Sequence, residues 1–122
     1  MSKSILIVDD DDAILETIAD YLKESGYNVL VATNGEEGSD ILKNEMVDLV
    51  ITDMYMAKLN GLRLLEHIRA EKSEIPVILM TGYELSKDEI AYFPYAPNAY
   101  IIKPFPLEKL SKSIENLLNI QK

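Results

Sequence analysis

The stretch SILIVDDDDA, residues 4–13, runs an apolar, β-branched segment straight into four consecutive aspartates. An ionised carboxylate makes its neighbours harder to ionise, so Asp9, Asp10, Asp11 and Asp12 need a reason to stand together. The apolar half of the stretch has four counterparts further on: NVLVA at 28–32, DLVIT at 48–52, PVILM at 76–80 and YIIK at 100–103. All are nearly continuous rather than alternating, the pattern of parallel strands buried on both faces. Segments of helical period separate them. Residues 12–25 carry Ile14, Leu15, Ile18 and Leu22 and stop at Gly26, where a C-terminal cap belongs. Residues 61–71 set Leu62, Leu65, Ile68 and Arg69 along one face, and residues 106–120 carry a leucine and isoleucine stripe from Leu107 to Leu118. Residues 35–45 read as helix too, weakened at Gly38 by about 1 kcal/mol relative to alanine. Strand and helix alternate five times, which predicts a doubly wound α/β fold with right-handed crossovers.

Size and composition are those of one globular domain: 122 residues, 48% hydrophobic and 27% charged, with no repeat or low-complexity tract. The absence of cysteine excludes disulfides, thiolate metal sites and thiol nucleophiles. No signal peptide is evident, and no apolar run approaches the ~18 residues of a membrane span, so the expected location is the cytoplasm. The net charge of −9, from 21 acids against 12 bases, disfavours direct contact with nucleic acid or an anionic membrane. The C-terminal lysines Lys109, Lys112 and Lys122 alternate with acids and make no basic patch.

In a doubly wound sheet, ligands bind beyond the carboxyl ends of the strands. Those ends deliver Asp9 and Asp10 from the first strand, Asp53 from the third, Thr81 from the fourth and Lys103 from the fifth. Carboxylates gathered on one rim repel unless a cation sits among them, and an all-oxygen donor set suits Mg2+. His67, in mid-helix on the exposed side, supplies no imidazole ligand and is assigned no role. A cation held by acids beside a further carboxylate, with a hydroxyl and an ammonium at hand, reads as phosphoryl transfer to Asp53. The plainer account of the aspartates is helix capping, which suits Asp12 best and Asp11 in part, but it does not use Asp9. Taken singly, Thr81 reads as a strand-end hydroxyl and Lys103 as a surface lysine; the convergence of five side chains is what points to chemistry.

Together the motifs LIVDDD, DLVITDM with a following NG, VILMTG and YIIKPF, in this order over nearly the whole chain, resemble the receiver domain of two-component response regulators. The resemblance implies a CheY-like, flavodoxin-like five-stranded sheet of order 2-1-3-4-5, with residues 1–122 as one receiver domain. It implies Asp53 as phosphoacceptor, and a Mg2+ site made by Asp10 directly, Asp9 largely through water, Asp53 and the backbone carbonyl of Tyr55. Lys103 corresponds to the lysine that contacts the phosphoryl oxygens, and Thr81 to the switch hydroxyl. Tyr100 is the aromatic that follows Thr81, and the Lys103–Pro104 bond is expected to be cis. The implied output is a switch of the surface formed by the fourth helix, fifth strand and fifth helix. The implied donor is a histidine kinase or a histidine phosphotransfer protein. Self-mediated, Mg2+-dependent phosphorylation and dephosphorylation are expected rather than enzymatic turnover.

Three features depart from the family pattern. Ala57 stands where proline is usual. Tyr55 and Tyr83, two residues beyond Asp53 and Thr81, put aromatics beside the phosphoryl position, and the expectation is a long-lived aspartyl phosphate. Gly82 leaves access open. In the fourth crossover, ELSKDEIAYFPYAPNAY, Pro94 and Pro97 end any helix by about residue 93, so the fourth helix is expected to be short or displaced, with Tyr92, Phe93 and Tyr95 near the surface. Lys58 lies close to the acceptor loop. The chain reads as a stand-alone receiver or one cut from a longer protein, monomeric or weakly dimeric on phosphorylation, acting on a downstream protein or an effector domain. Two alternatives stand beside this: a phosphate-independent receiver-like interaction module, and an aspartyl-nucleophile phosphohydrolase, for which 122 residues leave little room for a substrate pocket.

Overall fold

The alternating pattern resolves into five strands and five helices in a computed structural model that describes residues 2–56, 58–71 and 73–119. Ala57, Lys122 and residue 120, the expected end of the last helix, lie outside that set. In chain order the elements are β1 (Ser4–Val8), α1 (Asp12–Glu24), β2 (Asn28–Ala32), α2 (Gly35–Asn44), β3 (Leu49–Asp53), α3 (Gly61–Ala70), β4 (Val77–Thr81), α4 (Lys87–Ala91), β5 (Ala99–Ile102) and α5 (Leu107–Leu118). The strands form one parallel sheet of order β2-β1-β3-β4-β5. Relative to the sequence reading, β3 and β4 each run one residue further and β5 begins and ends one earlier, which makes Asp53 and Thr81 the last residues of their strands.

Successive strand side chains point to opposite faces, and the core divides accordingly. Ile5, Ile7, Ile51, Ile78 and Met80 pack with Leu15, Ile18 and Leu22 of α1 and Leu110 and Ile114 of α5. Leu6, Val8, Val50, Val77 and Leu79 pack on the other face with Leu64, Leu65 and Ile68 of α3, and with Ile41 and Leu42 of α2. The central strands β1, β3 and β4 are buried on both faces as their continuous runs predict, whereas the edge strand β2 is not, and Val31 is 46% exposed. Gly38 does not break α2: a β-carbon there would lie 3.1 Å from the Val8 side chain, so its absence lets the helix settle on β1. Gly26, at φ 99°, closes the end of α1.

The fourth helix is short, as the prolines predict, and is opened by a reciprocal capping box between Ser86 and Glu89. The aromatic segment behind it divides: Tyr92 is 88% exposed, Tyr95 is exposed, and Phe93 is half-buried against the second core with Tyr100.

Candidate functional site

The register of the sheet assembles the rim. Val8 lies opposite Thr52, so the next residues, Asp9 and Asp53, are neighbours. Asp53 lies opposite Met80, which sets Thr81 one step beyond, and Thr81 lies opposite Ile102, which sets Lys103 one step beyond that. The Lys103 N–H donates to the Thr81 carbonyl at 2.7 Å and continues the ladder past the end of β5. The Lys103–Pro104 bond is cis.

Carboxylate oxygens of Asp9, Asp10 and Asp53 all lie within 4.8 Å of one another. Asp9 is buried, Asp10 exposed and Asp53 between the two. The Lys103 ammonium donates to Asp9 Oδ2 at 2.9 Å and lies 3.2 Å from Asp53 Oδ1. Burial, and then the charge of Asp9, hold the Asp53 carboxyl above the usual range against the opposing pull of Lys103; Asp10 adds to the upward push. Burial alone would lower Lys103, but the hydrogen bond and charge of Asp9, with those of Asp53, outweigh it and raise the ammonium above an ordinary lysine.

The four aspartates separate by role. Asp9 turns inward, its Oδ1 accepting the Asp11 N–H at 2.9 Å. Asp11, rather than Asp12, caps α1, accepting from the N–H groups of Ala13 at 3.0 Å and Ile14 at 3.3 Å. Asp12 is instead the first helical residue, where the helix dipole favours an acid. Asp10 is left exposed beside Asp9 and Asp53 with its charge facing the same rim. Three carboxylates without imidazole or thiolate match a hard divalent cation that keeps part of its water, which is the donor chemistry of Mg2+.

Thr81 is buried, and its hydroxyl is engaged by Tyr83: it donates to the Tyr83 carbonyl at 2.7 Å and accepts from the Tyr83 N–H at 3.1 Å. The Tyr83 and Tyr55 hydroxyls are 3.0 Å apart, joining the loop after β4 to the loop after β3. That hydrogen bond, with partial burial and the nearby Glu89, pushes the Tyr83 phenol up to about 12. Tyr100, on β5, donates its hydroxyl to the Leu85 carbonyl at 3.3 Å, over the same loop.

Two contributions were not read from the sequence as such. Gly61 follows the α3 cap Asn60, and a β-carbon on it would collide with the backbone carbonyl of Asp53, so the NG pair places α3 directly against the acceptor strand. Arg69, expected on an apolar helix face, instead turns its guanidinium to the opposite end of the sheet, donating to the carbonyls of Ser73 and Ile75 and to Asn98 Oδ1. Lys58, in the loop after β3, has a left-handed backbone at φ 62° and is exposed. His67 is exposed and stands at a groove of about 730 Å3 between α2 and α3 that takes in none of the rim residues.

With this geometry in place, the relationship to known proteins is specific. The response regulator receiver domain family matches residues 5–115. The chain belongs to that family, whose members are phosphoacceptor modules of two-component signalling. It is 34% identical over 120 residues to a probable transcriptional regulator, ycf29, of Porphyra purpurea, covering 97% of this chain and 57% of the relative. It is 29% identical over 118 residues to the alkaline phosphatase synthesis transcriptional regulatory protein PhoP of Bacillus subtilis, covering 97% of this chain and 49% of the relative. The chain thus spans about half the length of these curated relatives. Among solved structures, the response regulator TrrA of Thermotoga maritima, in complex with Mg2+ and beryllofluoride, superposes with a TM-score of 0.85 at 34% identity, covering 95% of this chain and 99% of that one. Receiver domains bind Mg2+ at an acidic pocket, and an aspartate cluster, Asp9, Asp10 and Asp53, is present here. Among the described residues no helix is long and apolar enough to cross a membrane.

Proposed function

We propose that Asp53 accepts a phosphoryl group from a phosphohistidine, on a kinase or a phosphotransfer protein, and that the chain promotes this transfer with its own side chains. The observation that carries the reading is the rim itself: three carboxylates within 4.8 Å of one another, with one ammonium bridging Asp9 and Asp53. An Asp53 carboxylate oxygen attacks phosphorus, the phosphorus–nitrogen bond breaks, and the imidazole leaves. Asp10, Asp53 and the backbone carbonyl of Tyr55 would hold Mg2+ directly, with Asp9, whose oxygens are already engaged, acting through water. When bound, the cation supplies positive charge opposite the phosphoryl oxygens. Lys103 is placed to neutralise a phosphoryl oxygen from the other side, and the Thr81 hydroxyl to donate to a third.

The switch follows from the new charge-assisted contacts. Drawing Thr81 toward the phosphoryl group changes the packing open to Tyr100, and with it the surface of α4, β5 and α5 that a downstream protein or an effector domain reads. Tyr55 and Tyr83, exposed at the mouth of the site, shield the acyl phosphate from water without offering a carboxylate or amide to orient it. The expected consequence is slow autodephosphorylation, accelerated in Tyr55→Asn and Tyr83→Glu. The working compartment is the cytoplasm, where ATP-dependent kinases operate.

The deciding experiment is intact mass after incubation with acetyl phosphate, with Mg2+ or with a chelator, on the wild type and Asp53→Ala. One phosphoryl adduct that needs Mg2+ and is lost in the variant is the expected result. An adduct that persists in Asp53→Ala would move the acceptor elsewhere, and no adduct under any condition would favour a phosphate-independent interaction module.

A further inference from the structure

We infer that the hydroxyl pair of Tyr55 and Tyr83 is a clasp that holds Thr81 away from Asp53 and so sets how readily the switch is thrown; the inference rests on reading Asp53 as the phosphoacceptor. A threonine hydroxyl has one hydrogen to give. Here that hydrogen goes to the Tyr83 carbonyl at 2.7 Å, and the oxygen accepts the Tyr83 N–H at 3.1 Å. The hydroxyl must therefore give up its bond to residue 83 before it can donate to a phosphoryl oxygen. Residue 83 is in turn tied by its side chain, whose hydroxyl lies 3.0 Å from that of Tyr55 on the loop leading away from Asp53.

The intervening residue, Gly82, is exposed, and nothing lies within 4 Å of where its β-carbon would be, so that side of the peptide between Thr81 and Tyr83 is open to movement. Two residues further on, the Leu85 carbonyl accepts the Tyr100 hydroxyl at 3.3 Å. Segment 83–85 thus carries the anchor of Thr81, the anchor of Tyr100 and the link to the acceptor loop together. Opening the tyrosine pair frees the first and loosens the second. Because both rings are exposed, 59% for Tyr55 and 42% for Tyr83, the clasp biases the equilibrium and does not lock it.

This role belongs to the hydroxyls, whereas shielding of the phosphoryl group belongs to the rings, so phenylalanine separates the two. The test is titration of the whole chain with beryllofluoride and Mg2+, followed by 19F NMR and by the amide resonances of Thr81 and Tyr83. Tyr55→Phe and Tyr83→Phe should each bind the phosphoryl mimic more tightly, by about two- to fivefold, the scale of one exposed neutral hydrogen bond. The double variant should gain no more than either single one, because each breaks the same clasp. Unchanged or weaker binding in both single variants, or gains that multiply in the double variant, would overturn the clasp while leaving the acceptor site intact. If the wild type itself does not bind beryllofluoride, or Asp53→Ala binds it equally, the acceptor reading falls and the clasp with it.

Discussion

Asp9 has both oxygens taken, Oδ1 by the Asp11 N–H and Oδ2 by the Lys103 ammonium, each at 2.9 Å, and its side chain is 1% exposed. Its charge is therefore matched by protein groups rather than by bulk water, and the cationic part of that match is Lys103. Lys103→Met leaves a buried carboxylate facing Asp53 without its cation, and should cost about 2–3 kcal/mol of stability in chelator, less than a fully buried pair because the lysine side chain is itself 23% exposed. Urea denaturation measures this; a loss below about 0.5 kcal/mol, the scale of an ordinary surface change, would count against the pairing. A second residue-scale contrast lies in two glycines near the rim. Gly61→Ala forces a methyl into the Asp53 carbonyl and should destabilise by about 1–3 kcal/mol while lowering the yield of phosphorylation. Gly82→Ala meets open space and should stay within about 0.5 kcal/mol of the wild type. The same denaturation experiment separates them, and equal losses at the two positions would contradict the close approach of α3 to Asp53.

Arg69 ties three elements together at the end of the sheet away from the site. Its guanidinium reaches the carbonyls of Ser73 at 2.9 Å and Ile75 at 2.8 Å, and Asn98 Oδ1 at 2.8 Å, while the same Asn98 oxygen accepts the Val77 N–H at 2.9 Å. The end of α3, the entry to β4 and the entry to β5 are thereby held in register. Arg69→Ala should cost about 2–3 kcal/mol, and Arg69→Lys should recover only part, because an ammonium cannot reproduce the planar fork. Thermal denaturation of the two variants tests this, and full recovery by lysine would remove the fork from the account. Here the sequence misleads for a physical reason: three-and-four spacing reports which way a helical residue faces, not whether its long side chain runs past the core to a distant carbonyl. The same holds for Asn98, just after Pro97, whose side-chain oxygen is the acceptor at the centre of this clamp. The short fourth helix, by contrast, was legible from Pro94 and Pro97. It has five residues, none of them buried. Its amides should exchange with deuterium well ahead of those of α1 and α5, which bury Leu15, Ile18, Leu22, Leu110 and Ile114. Protection of α4 equal to that of α5 would show that its stability comes from contacts other than core packing.

At the scale of the whole molecule, the order of apolar runs and the residues that end them carry the fold and the membership of the rim, because a parallel sheet brings the ends of its strands to one edge. The sequence could not give the partition of the four aspartates into buried partner, exposed acid, cap and first helical residue, since that depends on how α1 leaves the sheet. The partition has an energetic consequence. A chain of net charge −9 concentrates three carboxylates at one rim, and both Asp9 and Asp10 raise the Asp53 carboxyl. Repulsion there opposes folding without a cation and favours folding with one, since a ligand that binds only the folded state stabilises it by mass action. With free Mg2+ at ten times its dissociation constant the gain is about 1.4 kcal/mol, or about 5 °C in Tm for a domain of this size. Asp10→Asn removes an exposed charge that makes no ion pair among the described residues. In chelator it should melt at or above the wild type, and added Mg2+ should raise the wild type while leaving the variant nearly unmoved. Melting curves of both proteins with chelator, Mg2+ and an equal ionic strength of sodium chloride distinguish this from general screening. An equal Mg2+ response in the two proteins would mean that the cation does not use Asp10, and a response matched by sodium chloride would mean that the rim holds no specific divalent ion.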